Sequence, residues 1–251
     1  MIKCTNLNLK YGKKEVLKDV NLSFSDNKIT VILGKNGSGK TTLLRCLSYI
    51  QQKYNGDIYI NDKNIKDFKD KERAQKISLM PQVLPRPAIS VETLVSMGRF
   101  PYSDDMGRLN SDDYELADKA IKLCEIESLR KNLVCHLSGG ERQQSYFAML
   151  YCQNSDILLM DEATSALDAL YRKRFKKHLK QLKDTGKTII LTIHDINEAL
   201  NIADEIILMD KGSIIYQGDV KEFVDSGLIE EKFGLEKKTY IENNIEKYFY
   251  L

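Results

Sequence analysis

Two kinds of hydrophobic pattern alternate along the chain. In Ile2–Leu9 and Val16–Phe24 apolar residues alternate with polar ones, the period-two signature of strands buried on one face, and Gly56–Ile60 repeats it. Ile157-Leu158-Leu159-Met160 and Thr188-Ile189-Ile190-Leu191-Thr192-Ile193 are instead continuous apolar runs, as expected of strands covered on both faces of a parallel sheet. Shorter runs at Ile29–Leu33 and Ile77–Met80 predict further strands, and Ile206–Met209, the turn Asp210-Lys211-Gly212 and Ile214–Tyr216 predict a hairpin. Helical spacing appears at Leu43–Leu47. It returns after Asp112-Asp113-Tyr114-Glu115, where Leu116, Ala120, Ile121, Leu123 and Cys124 fall on one side of a long helix. Pro85, Pro87 and Pro101 punctuate the approach to that helix, so the middle of the chain reads as a helical lobe set between strands. A short helix and a charged tail follow from Asp219 to Leu251, and no mechanism is legible there.

Composition narrows the class. A chain of 251 residues with 42% hydrophobic and 29% charged positions has enough apolar residues for a sizeable core. Its net charge is +2, with lysines and acids interleaved along most of its length, which argues against a nucleic-acid-binding face. Five cysteines (Cys4, Cys46, Cys124, Cys135, Cys152) show no C-x-x-C spacing and predict buried, reduced thiols rather than a metal or disulfide. No apolar run approaches the roughly 18 residues of a membrane span, and the N-terminus lacks a signal-peptide core, so the expectation is a cytoplasmic protein.

The candidate chemistry clusters at the ends of the predicted strands. Gly34-Lys35-Asn36-Gly37-Ser38-Gly39-Lys40-Thr41-Thr42 lies between a strand and a helix, the context that the G-x-x-x-x-G-K-[ST] pattern requires. Glycines let backbone N–H groups converge on phosphate oxygens, Lys40 supplies a mobile charge, and Thr41 offers a hydroxyl to magnesium. Asp161 and Glu162 follow a buried strand, which suggests a magnesium ligand with a neighbouring base. His194 ends another strand, while His136 and His178 read as structural. Gln82, just past Met80-Pro81, is placed either to reach a metal or simply to face solvent. Tyr11, before Gly12, could stack on a base or fill a small core. Ser138-Gly139-Gly140-Glu141 reads as a helix cap, either a second anion site or a plain N-cap.

These elements, in this order, resemble the ATP-binding-cassette (ABC) ATPases from about Ile2 to Val224. The resemblance makes Tyr11 the adenine-stacking aromatic, Gly34–Thr42 the Walker A loop and Gln82 the Q-loop. Leu137-Ser138-Gly139-Gly140-Glu141 matches the signature, Ile157–Asp161 with Glu162 matches Walker B, Ser165-Ala166-Leu167-Asp168 matches the D-loop, and His194 matches the switch histidine. The implied fold is an α/β P-loop cassette with a mixed core sheet, an N-terminal antiparallel β part and an inserted helical part. The implied divisions are a core at about 1–85 and 154–225, a helical subdomain at 86–153 and an extension at 226–251. The resemblance also implies ATP and Mg²⁺, with Thr41, Gln82 and Asp161 holding the metal, Glu162 activating water and His194 on the γ-phosphate. Ser138, Gly139 and Gly140 would then complete the site of a second copy in a head-to-tail dimer, with Asp168 at its interface. Lys35 and Ala163 stand where many members have proline, and Gln144 and Met149 where arginine is common.

Three stretches resemble the importers of iron chelates, haem or cobalamin: Met80-Pro81-Gln82, Ser90–Tyr102 with its Gly98-Arg99-Phe100-Pro101, and His194-Asp195-Ile196-Asn197. That resemblance implies a peripheral subunit on the cytoplasmic face of the membrane, held by permease subunits and served indirectly by an extracytoplasmic solute-binding protein. A permease helix would dock between 82–87 and 91–102, with Phe100 and Tyr102 giving apolar contact and Arg99 pairing with it; the alternative for this segment is a proline-ended helix that packs inside the lobe. Ferric siderophore is the expected cargo, with haem or cobalamin as the alternative. A soluble non-transport ABC ATPase and a cassette that binds ATP without hydrolysing it are the competing readings. Glu162 and His194 are both present, which disfavours the last.

Overall fold

A computed structural model of the chain describes residues 1–162, 164, 168–242 and 245–251. Four strands make an antiparallel sheet: β1 (Ile2–Tyr11), β2 (Lys14–Phe24), β4 (Asn55–Ile60) and β5 (Lys63–Asn64), in the order β2-β1-β4-β5. Six make the central sheet: β3 (Ile29–Leu33), β6 (Ile77–Met80), β7 (Ile157–Met160), β8 (Thr188–Thr192), β9 (Glu205–Asp210) and β10 (Ser213–Asp219). Their order is β10-β9-β3-β8-β7-β6, parallel except for the edge strand β10, which turns back on β9. The two patterns in the sequence thus belong to two different sheets.

Period two explains how one strand serves two cores. Val31, Leu33, Leu158, Met160, Ile189 and Leu191 face one cluster, while Ile32, Ile157, Leu159 and Ile190 between them face the other. The second cluster lies against the antiparallel sheet and α1 (Lys40–Leu47), whose Leu43, Leu44 and Leu47 are fully buried. The first holds the helical part of the chain. There α3 (Val91–Met97) and α4 (Ser111–Leu123) pack on α5 (Gly139–Gln153), after the short α2 (Asp70–Lys76). Asn110 and Asp113 form a capping box that starts α4 one residue ahead of the predicted Asp112. Close packing sets one residue outright: a Cβ on Gly98, at the end of α3, would lie 2.4 Å from the Met149 carbonyl of α5.

This packing corrects the expected role of Arg99. The residue is 7% exposed; its Nε donates to Asp113 Oδ1 at 2.9 Å, one NH1 bond reaches the Cys152 carbonyl at 3.1 Å, and its guanidinium stacks over Tyr102 at 3.7 Å. The carbonyls at the end of α5 and the acid beside them are the chain's own, so Arg99 joins α3, α4 and α5 rather than facing outward. Phe100 and Val83 do stay exposed.

Behind the central sheet run α6 (Ala169–Asp184) and α7 (Ile196–Ile202). The described residues of the tail form α8 (Val220–Asp225), α9 (Leu228–Phe233) and an antiparallel pair of β11 (Lys237–Glu242) and β12 (Ile245–Tyr250). Asn197 of α7 clasps this pair by two bonds to the Tyr250 backbone, 2.9 Å to its carbonyl and 2.8 Å from its N–H. Cys4, Cys46, Cys124 and Cys152 are buried free thiols, pushed up to about 12 mainly by desolvation; Cys135 is only half-buried. Among the described residues no helix is long and apolar enough to cross a membrane.

Candidate functional site

The parallel strands deliver the candidate residues to one edge. β3 ends at Leu33 and runs into the glycine-rich loop, β6 ends at Met80 ahead of Pro81-Gln82, β7 ends at Met160 ahead of Asp161-Glu162, and β8 ends at Thr192, two residues before His194. Carboxyl ends of strands in an open α/β sheet are where ligand crevices form. An open cleft of about 560 Å³ lies there, lined by Tyr11, Asn36, Gly37, Gly39, Lys40, Thr41, Thr42, Gln82, Glu162 and His194. Residues separated by up to 183 positions in the sequence therefore share one wall.

The loop is shaped by its own contacts. Gly34 has φ 150°, and a Cβ there would meet the Met209 carbonyl at 2.4 Å and Ser38 Oγ at 2.6 Å, so only glycine fits. α1 starts at Lys40 with no side-chain cap, which leaves its first amides available to an anion. Lys40 is buried and folds back along the loop, its Nζ donating to the Gly34 carbonyl at 2.7 Å and the Lys35 carbonyl at 3.2 Å. Burial pulls the ammonium below its ordinary pKa, and the charges of Glu162 and Asp161 push the other way. Ser38 Oγ is buried and has no hydrogen-bond partner among the described residues.

Opposite the loop, His194 Nε2 lies 2.7 Å from Glu162 Oε1. Glu162 itself is bent into the left-handed region, with φ 52°, at a cost of about 1–2 kcal/mol for a residue with a Cβ. Thr192 holds the bend: its Oγ1 accepts from the Glu162 N–H at 2.8 Å and donates to Asp161 Oδ1 at 2.8 Å. Asp161 is 4% exposed, and its own N–H donates to the Met80 carbonyl at 2.9 Å, so it joins the site from behind. Sequence reasoning missed Thr192. Its only trace was a polar residue at the end of an apolar run, two positions before His194. Lys14 and Val16 also line the cleft and were likewise not singled out.

The residues brought together fit a magnesium nucleotide. A hydroxyl (Thr41), an amide (Gln82) and a carboxylate (Asp161) are the hard oxygen donors that Mg²⁺ takes, and uncapped amides with a lysine suit a polyphosphate. Tyr11, 48% exposed, presents a ring at the rim. The signature turn is elsewhere. Ser138 caps α5 in a reciprocal capping box with Glu141, Ser138 and Gly139 are exposed, and none of Ser138, Gly139 and Gly140 lines the cleft. Asp168 is exposed and caps α6 through the Tyr171 N–H at 2.9 Å. Ala163 and the D-loop residues Ser165, Ala166 and Leu167 lie outside the described residues.

Known proteins resemble this chain in sequence and fold. The sequence profile described as ABC transporter matches residues 17–165. The petrobactin import ATP-binding protein YclP of Bacillus subtilis is 34% identical over 94% of this chain and 93% of its own length. The ferric enterobactin transport ATP-binding protein FepC of Escherichia coli is 36% identical over 91% of this chain and 85% of its own. A solved structure assigned as a metal-chelate type ABC transporter, in an inward-facing conformation, superposes with a TM-score of 0.85 at 26% identity, covering 100% of this chain and 96% of that one. The chain belongs to the ABC transporter family, as one of its ATP-binding, ATP-hydrolysing cassettes.

Proposed function

We propose that this cassette hydrolyses ATP to power a membrane importer of ferric chelates, as one half of a head-to-tail pair bound to permease subunits at the cytoplasmic face. The observation that carries the ATPase role is the meeting of Lys40, Glu162 and His194 in one cleft at the ends of parallel strands. Lys40 and the loop from Gly34 to Thr42 hold the phosphates, and Tyr11 stacks on the base. Thr41, Gln82 and Asp161 hold Mg²⁺, which when bound neutralises charge on the phosphate chain. Glu162 takes the proton of the attacking water. His194 orients that carboxylate in the free chain and turns to the γ-phosphate when nucleotide binds. Since Ser138, Gly139 and Gly140 lie outside the chain's own cleft, they serve the partner's, and Asp168 lies at the shared interface.

The cargo rests on the relatives, one named for petrobactin import and one for ferric enterobactin transport, and on the metal-chelate type of the structural neighbour. Exposed Phe100 and Val83, beside Gln82, give the permease its apolar contact. Deleting the gene should reduce uptake of radiolabelled ferric siderophore in iron-starved cells, and a Lys40→Ala copy should fail to restore it. A defect confined to haem or cobalamin would move the cargo within this class. Unchanged uptake of all three would leave a soluble ATPase.

A further inference from the structure

We infer that Glu198 is a positioning residue for ATP turnover, the carboxylate that ties the helix behind His194 to the turn behind Glu162; this rests on the ATPase reading above. Glu198 lies in the first turn of α7, where its N–H donates to the capping Asp195 Oδ1 at 3.0 Å. Its side chain is 12% exposed. One oxygen, Oε2, accepts from Thr164 Oγ1 at 2.9 Å and lies 3.9 Å from Arg172 NH1. The other, Oε1, is buried and has no hydrogen-bond partner among the described residues. Thr164 is 5% exposed and sits two residues past Glu162 and four before Asp168. Arg172 stands in the first turn of α6, its N–H donating to the Asp168 carbonyl at 2.9 Å.

One carboxylate therefore gathers three segments: the turn that leaves Glu162, the helix that Asp168 caps, and the helix that His194 leads into. A buried acid with an oxygen left unpaired is a poor way to stabilise a fold, because its desolvation is only partly compensated. It is an effective way to fix one segment against another, since a hydrogen bond has direction and an apolar contact does not. The segments it joins carry both members of the 2.7 Å Glu162–His194 contact. Neither Thr164 nor Glu198 lines the cleft, so their bond should govern rate rather than nucleotide affinity.

The test compares Glu198→Ala, Glu198→Gln, Thr164→Val and the Glu198→Ala/Thr164→Val double variant in steady-state ATP hydrolysis by the full chain with Mg²⁺. Losing a hydrogen bond to a charged group should lower kcat about 10-fold or more, with KM for ATP within about two-fold of the unaltered chain. Gln at 198 keeps the acceptor and should restore most of the rate. Thr164→Val removes the same bond from the other side, and the double variant should be no slower than the slower single. Glu198→Ala and Thr164→Val should each also weaken ATP-driven dimer formation in a Glu162→Gln background, a readout that needs no turnover. Unaltered kcat and dimer formation in both Glu198→Ala and Thr164→Val would overturn the inference. So would losses that add in the double variant and follow a fall in Tm with a rise in KM, since those mark a merely structural contact. An unaltered chain that binds ATP without turnover would count against the ATPase reading instead, and the dimer arm would still decide whether the Thr164–Glu198 bond acts.

Discussion

Glu162 is held from both ends, and each hold can be tested alone. At its carboxylate, His194 approaches to 2.7 Å; at its backbone, Thr192 Oγ1 accepts the N–H and donates its own hydroxyl hydrogen bond to Asp161. Glu162→Gln is isosteric, so ATP binding measured by fluorescence titration should stay within about three-fold, while turnover should fall about 10²- to 10⁴-fold, the typical worth of a general base. Substantial turnover in a clean preparation would assign the base elsewhere. Thr192→Val keeps the shape of β8 but leaves the Glu162 N–H and Asp161 Oδ1 without their partner. Each orphaned group costs about 1–3 kcal/mol, so the melting temperature should drop by several degrees. The Mg²⁺ concentration for half-maximal hydrolysis should rise as Asp161 loses its orientation. A variant that melts lower with unchanged Mg²⁺ dependence would show Thr192 to be structural only.

At the scale of elements, α6 bears on α5 through Phe175 and His178, whose rings lie 5.1 Å and 6.0 Å from that of Phe147. Burial lowers the His178 pKa below its ordinary 6.5, outweighing the Gln181 hydrogen bond and the Glu125 charge that raise it, while Lys177 and Arg174 add to the lowering. The fold thus keeps this imidazole neutral. Below about pH 6.5 the unfolded chain takes up the proton while the native one resists it, so stability falls with pH until the depressed native pKa is passed. Denaturant midpoints at pH 7.5 and 5.5 should therefore differ less in His178→Gln than in the unaltered chain. Equal pH sensitivity in the two would place the acid-labile contact elsewhere.

For the whole molecule, one chain holds a phosphate loop and, outside its own cleft, a Ser138-Gly139-Gly140 turn at the start of α5 whose Ser138 and Gly139 are exposed. Two chains placed head to tail would put each turn over the other's nucleotide, where the α5 N-terminus favours the γ-phosphate. The Glu162→Gln variant should accordingly dimerise with saturating MgATP and stay monomeric with MgADP, as read by light scattering. A monomer under both conditions would mean that permease subunits are needed to hold the halves together.

The chain's own alternation of residues determined much of this. Period-two segments became the antiparallel sheet and continuous apolar runs became the central sheet, because strand burial is written in the side chains themselves. The phosphate loop was equally legible, since glycines, lysine and threonine at fixed spacing act locally. Tyr11 and Gln82 were ambiguous as residues, and only the fold brought them to the cleft. What the tertiary structure decided depended on partners far away in sequence. Arg99 has the chemistry of an outward-facing contact, but Asp113 and the end of α5, 14 and 53 residues away, draw it inside. Thr192 and Glu198 carry no motif, and their roles appear only where β8 and α7 meet the turn after β7. The tail looked featureless because a two-stranded antiparallel pair is marginal alone, and its anchor, Asn197, lies 53 positions before Tyr250. Local propensity reports what a segment can become; which buried polar groups it must satisfy is settled only when distant segments arrive.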